Sequence, residues 1–90
     1  MRLRYTRAAL RQIEAVLTYT AEHSPQGALR IRARIMAAAA LIEGHPQTGQ
    51  ATDQPGIRRV VLIPFPYVLF YRVIGPDVIV TRLRHVVRGS

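Results

Sequence analysis

Six arginines crowd into residues 57–88, at positions 58, 59, 72, 82, 84 and 88, and the acid among them is Asp77 alone. They interrupt three apolar runs, IRRVVLI, PYVLFYRVI and VIVTRLRH. A guanidinium is costly to bury without a partner, and its planar fork of donors matches the oxygens of carboxylates and phosphates. The pattern therefore points to a surface that meets an anion or a folded partner. His85 stands among these arginines as the group able to move a proton near neutral pH. Arg72 and Arg82 fall in adjacent strands of a predicted hairpin and can converge on one anion. Arg58 and Arg59, as strand neighbours, point to opposite faces, so at most one of them can join that cluster.

Other chemistry has little foothold. His23 and His45 sit at predicted helix ends, and no ligand spacing links the three histidines, so neither a metal site nor a cofactor is expected. Cysteine is absent, which removes disulfides and thiolate sites. Paired carboxylates for sugar hydrolysis, a glycine-rich phosphate loop and a nucleophile elbow are all missing. Tyr67 and Tyr71 share a strand face and could stack bases, although aromatic residues at that period are more often core.

The elements that must carry these residues follow from periodicity and punctuation. Leu3 and Tyr5 alternate with polar neighbours, as in a short half-buried strand ending near Thr6. Thr6 is a plausible N-cap for a helix over about residues 7–22, with Leu10, Ile13, Leu17 and Ala21 at helical spacing. Ser24-Pro25 starts a second helix, over about 25–43, which Gly44 and His45-Pro46 end. Its stripe Ala28, Ile31, Ile35, Ala38 and Ile42 faces the core. A second apolar stripe, Leu29, Met36, Ala37 and Ala40, sits beside the first and is left for a partner.

Residues 46–56 read as a surface loop. Three strands follow, over about 57–63, 66–74 and 78–85, joined by short turns as antiparallel hairpins. Tyr67, Leu69, Tyr71 and Val73 take one side of the middle strand, and Val68, Phe70, Arg72 and Ile74 the other. Strict alternation in the last strand puts His85 on one face with Ile79, Thr81 and Leu83. The predicted fold is α+β, a two-helix hairpin on a curved antiparallel sheet in the order β-α-α-β-β-β. Residues 1–90 form one domain, because a chain this short has one small core.

Charge narrows the partners. All thirteen cations are Arg, and the net charge of +8 is shared evenly: seven Arg against three Glu in residues 1–45, six Arg against two Asp in 46–90. Such a surplus favours nucleic acid, ribosome or an acidic protein. The first 20 residues match neither a secretion signal nor a membrane span, so a soluble cytoplasmic protein is expected.

Several local strings, in order, resemble the RelE/ParE toxins of bacterial type II toxin–antitoxin modules. They are Thr6-Arg7-Ala8-Ala9-Leu10-Arg11-Gln12-Ile13, the break His23-Ser24-Pro25, Pro46-Gln47-Thr48-Gly49, Gly56-Ile57-Arg58, Tyr67-Val68-Leu69-Phe70-Tyr71-Arg72 and His85-Val86-Val87-Arg88. The resemblance runs end to end and implies a growth-arresting toxin neutralised by a cognate antitoxin. In RelE-like members the activity is cleavage of messenger RNA on the ribosome, for which Arg58, Arg82 and His85 would be the catalytic candidates. ParE-like members block DNA gyrase without implied catalytic residues, and the His-x-x-Arg ending and thin acid–base complement favour that side. Target-binding candidates are then Arg58, Arg72, Arg82, Arg84, His85 and Arg88. Leu29, Met36, Ala37, Ala40, Tyr67 and Tyr71 are the candidates for holding an antitoxin tail that folds as a helix plus an extended segment. A module member that binds its antitoxin but has lost toxicity is the third possibility.

Overall fold

A computed structural model describes residues 2–86, so Arg88 and Gly89-Ser90 lie outside the described residues. The elements are β1 (Arg2–Tyr5), α1 (Arg7–His23), α2 (Pro25–Gly44), β2 (Gln50–Ala51), β3 (Ile57–Val61), β4 (Tyr67–Ile74) and β5 (Asp77–His85). Both helices begin at the residues whose chemistry predicts it. The Thr6 hydroxyl accepts the Ala9 N–H, and the Ser24 hydroxyl accepts the Gly27 N–H with Pro25 opening the helix. Ser24 also closes α1, donating its N–H to the Thr20 carbonyl.

The sheet order is β1-β5-β4-β3-β2. It is mixed rather than wholly antiparallel, because β1 runs parallel to β5, with Leu3 opposite Val78 and Tyr5 opposite Val80. Alternation in β1 marks a strand but carries no direction, which is set by where the helical hairpin returns the chain. Strand β2 has no sequence signature either. Two residues of the predicted loop pair with Arg58 and Arg59 because the loop is pulled against β3.

The core lies between the helices and one sheet face. Leu69, Tyr71, Val78, Val80 and Leu83 meet Ile31, Ile35, Ala38 and Ile42 of α2 and Ala9 of α1. Each large aliphatic side chain fully removed from water contributes roughly 1.5–3 kcal/mol. In α1 the buried stripe is rotated from the expected one: Ala9 is fully buried, Ile13, Val16 and Leu17 pack partly, and Leu10 is 53% exposed. Ala21 is exposed as well. Several neighbouring faces of this helix satisfy the same spacing, and the one chosen puts a methyl group where α1 lies against the sheet.

Helix α2 also guards both sides of the sheet. Glu43 accepts the Leu3 N–H on β1 at 3.2 Å. Arg34 donates to the Ile63 carbonyl at 2.9 Å and the Val61 carbonyl at 3.4 Å, beyond the stretch of β3 that β2 covers. Charged side chains that occupy edge groups discourage addition of a further strand at those points. Burial, with Glu43 nearby as a second cause, pushes the Tyr5 phenol above its ordinary value of 10.0. No helix among the described residues is long and apolar enough to cross a membrane.

Candidate functional site

One extra residue in β5 decides which face the arginines occupy. Phe70 pairs with Arg82 but the next residue, Tyr71, pairs with Val80, so Thr81 is an unpaired bulge residue. Strict alternation would put Arg82 and Arg84 beside Val78 and Val80, in the core. With the bulge, Val78, Val80 and Leu83 all face the helices while Ile79, Arg82 and Arg84 face outward. The predicted company of His85 changes for the same reason: it shares its side with Leu83 and not with Ile79 and Thr81.

Two polar residues of the first helix region hold the bulge. The Gln12 Oε1 accepts the Leu83 N–H at 2.8 Å, and the Thr6 hydroxyl donates to the Thr81 carbonyl at 3.0 Å while capping α1. Thr81 adds a bond from its own hydroxyl to the Phe70 carbonyl at 3.3 Å. Gln12→Leu therefore leaves a half-buried N–H without its acceptor. We expect a loss of about 1–3 kcal/mol, measured by urea unfolding, with faster amide exchange at Leu83; unchanged exchange there would show that Gln12 does not hold the bulge.

The outward face forms a cavity of about 460 Å³, lined by Ile57, Arg59, Phe70, Arg72, Arg82 and Arg84 with Thr81 and the loop residues Thr52, Asp53 and Gln54. Register explains the convergence: Arg59 and Arg82 flank Phe70 on its two neighbouring strands, and Ile57 and Ile79 flank Arg72. Arg59 is steadied by Gln50, whose Oε1 accepts its Nε–H at 3.1 Å, so the terminal amino groups remain free to donate. Among the described residues the single ion pair is Arg4 with Asp77, at 3.2 Å on the β1–β5 side. Asp77 is thus taken elsewhere, and the cavity arginines have no carboxylate partner among the described residues.

Of the sequence candidates, Arg72, Arg82 and Arg84 are brought together here. Arg58 is not. It pairs with Tyr71, on the helix-facing side, and donates to the Gly49 carbonyl at 2.6 Å, the Gln47 carbonyl at 3.4 Å and the Gln47 Oε1 at 2.7 Å. Its work is to hold the 46–51 loop, and Arg59 is the neighbour that joins the cluster. The opposition of 58 and 59 is legible in the sequence, but which one faces out depends on the register with β4. His85 is exposed and lies edge-on to the Tyr67 ring at 5.3 Å, across from the arginines. Arg88 lies outside the described residues.

The two tyrosines proposed for partner contact part company. Tyr71 is fully buried: its hydroxyl donates to the Pro46 carbonyl at 2.6 Å and accepts the Gly49 N–H at 2.8 Å, so it is core and unavailable to a partner. Tyr67 is half-buried. On α2, Leu29 is 65% and Met36 55% exposed, and Ala37 and Ala40 are exposed too. At roughly 100° per residue these four stand opposite the core stripe, not beside it, and Ala33 joins them. Exposed Arg30 and Arg32 flank the stripe on its two sides. Among the described residues no three His, Asp or Glu side chains gather as metal ligands would.

Comparison with known proteins is consistent with this architecture. The family model described as ParE toxin of the type II toxin–antitoxin system parDE matches residues 3–88. The candidate toxin Y4kP of Sinorhizobium fredii is 32% identical over 84 residues, 93% of this chain and 86% of that protein. Toxin RelE2 of Caulobacter vibrioides is 32% identical over 84 residues, 93% of each. A solved chain of the chromosomal ParDE system from P. aeruginosa superposes with a TM-score of 0.84 over 97% of both chains, at 23% identity, and so shares the fold. A two-helix hairpin on a five-stranded sheet, matched nearly end to end by the family model, makes this chain a member of the ParE toxin family of type II toxin–antitoxin systems.

Proposed function

We propose that this toxin arrests growth in the bacterial cytoplasm by inhibiting DNA gyrase, with the arginine face meeting the target. The observation that carries this reading is the separation of His85 from the arginines. Cleavage of RNA by transfer to a 2′-hydroxyl needs a base, an acid and phosphate donors around one phosphorus. The cavity lining supplies donors, with Asp53 as its sole ionisable acid, and contains no His, Tyr or Lys. A binding surface fits that composition better than a nuclease centre does.

The antitoxin, in the same reading, lays an amphipathic helix along Leu29, Ala33, Met36, Ala37 and Ala40. Small side chains admit a close backbone approach, and acidic residues at the helix margins would meet Arg30 and Arg32. An extended continuation of that tail crosses the open sheet face. Adding the purified protein to a gyrase supercoiling reaction should stop supercoiling, and adding antitoxin should restore it; full supercoiling at excess toxin overturns the gyrase target. Induction in cells gives the complementary result: arrest with intact messages and a DNA-damage response, whereas arrest with cleaved messages would assign the ribosome instead.

A further inference from the structure

The arginines of the open face surround an aromatic ring. Phe70 sits at the centre of the cavity, with Arg59 paired to it on β3 and Arg82 on β5, while Arg72 and Arg84 lie near along the strands. Its ring is half-buried, so it offers a floor rather than a core contact. One wall is the loop Thr52-Asp53-Gln54, which Thr52 stiffens, its hydroxyl donating to the Ile57 carbonyl at 2.9 Å and accepting the Gln54 N–H at 3.2 Å. Asp53 and Gln54 thereby bring a carboxylate and an amide to the rim of an otherwise cationic cavity.

Three parts with three chemistries share one volume: a π-face, a set of guanidinium forks with no carboxylate partner among the described residues, and a polar wall with acceptors and donors. Aromatic floors hold bases by stacking and tolerate any base. Guanidinium forks hold phosphate oxygens bidentately. The cavity volume of about 460 Å³ lies inside the range of small-molecule sites, roughly 300–1,000 Å³, and a duplex could not bring a base to Phe70 without unstacking it. An acidic peptide would use the guanidinium groups but not the ring.

We propose that this cavity binds an unpaired nucleotide, its base stacked on Phe70 and its phosphates held by Arg59, Arg72, Arg82 and Arg84. The proposal rests on the reading of this face as the one that meets the target, and it gives that face a ligand class. The nucleotide can be free, as a nucleoside polyphosphate, or part of a single strand; the recognition chemistry is the same.

The test is fluorescence anisotropy of the full chain with a labelled octathymidylate, with ATP and a glutamate octapeptide as competitors. Three to four neutralised phosphates predict a roughly 20- to 50-fold loss of affinity between 50 and 200 mM salt. Phe70→Leu should weaken binding about tenfold with the salt dependence unchanged, and Phe70→Trp should restore it. Arg82→Gln should flatten the salt dependence by about one phosphate contact. Displacement by ATP at or below the concentration at which the unlabelled octathymidylate displaces assigns a free nucleotide, and weaker or no displacement with strand binding intact assigns a nucleotide within a strand; either supports the proposal. Binding that is insensitive to both Phe70 substitutions, or matched by the glutamate peptide, overturns it, as does no anisotropy change at 50 mM salt. In that event gyrase inhibition measured on the same preparation separates the two readings: if supercoiling is still blocked, the target stands and the nucleotide falls.

Discussion

Charge reversal at Arg59 or Arg82 is expected to abolish growth arrest while leaving the fold intact. Both side chains are exposed and face the cavity, and neither has a carboxylate partner among the described residues, so their replacement removes no internal ion pair. Each reversal deletes charge-assisted contacts worth about 1.5–3 kcal/mol and adds repulsion toward an anion. The combined effect is a loss of target inhibition of about 100-fold or more. Dose–response in the supercoiling assay, with melting temperature as the folding control, measures it. Arg11→Glu on α1 is the reference and should change inhibition little; equal losses at Arg11, Arg59 and Arg82 would reduce the effect to overall charge.

Arg58 makes the informative contrast. The resemblance places it with Arg82 among the target-binding candidates, through the Gly-x-Arg string. Its guanidinium instead binds Gln47 and Gly49, so Arg58→Glu should act through stability, by loosening the loop. A reversal at 58 that lowers inhibition without lowering the melting temperature would restore it to the target surface.

Gly49→Ala should be the most damaging of the small substitutions. A Cβ built there falls 2.6 Å from the Tyr71 Cε1 and 2.8 Å from its Cζ, inside any tolerable contact. Tyr71 cannot retreat, because it is fully buried and its hydroxyl is fixed by Pro46 and Gly49 itself. Overpacking of this kind costs about 1–3 kcal/mol, and breaking the hydroxyl's buried bonds adds about 1–3 kcal/mol. A total near 3 kcal/mol lowers the melting temperature by roughly 15 °C in a chain of this size. Gly44→Ala is the control: nothing lies within 4 Å of a Cβ there, and the change favours helix. A melting temperature for Gly49→Ala within 3 °C of the parent would mean that Tyr71 does not lock the loop. The first pair of substitutions probes the outward face of β3–β5 and this one the inward face.

Sequence alone determined the local structure and the chemistry on offer. Thr6 and Ser24-Pro25 place the helix starts because a cap acts within one turn, and Ile31, Ile35, Ala38 and Ile42 mark their face because the period is built into the helix. The arginine surplus and the order of strings place the chain among its relatives for the same reason, since each signal is carried by a few adjacent residues. Tertiary structure decided the rest. Whether β1 runs parallel, whether Gln50–Ala51 is a strand, and whether Arg58 or Arg59 faces outward all depend on pairing partners distant in sequence. The bulge at Thr81 matters most: one unpaired residue, held by Gln12 from 71 positions away, inverts the alternation and carries Arg82 and Arg84 out of the core. Alternation fixes side-chain direction only relative to the next residue in the same strand. A slip of one residue reverses it, and only the neighbouring elements record the slip.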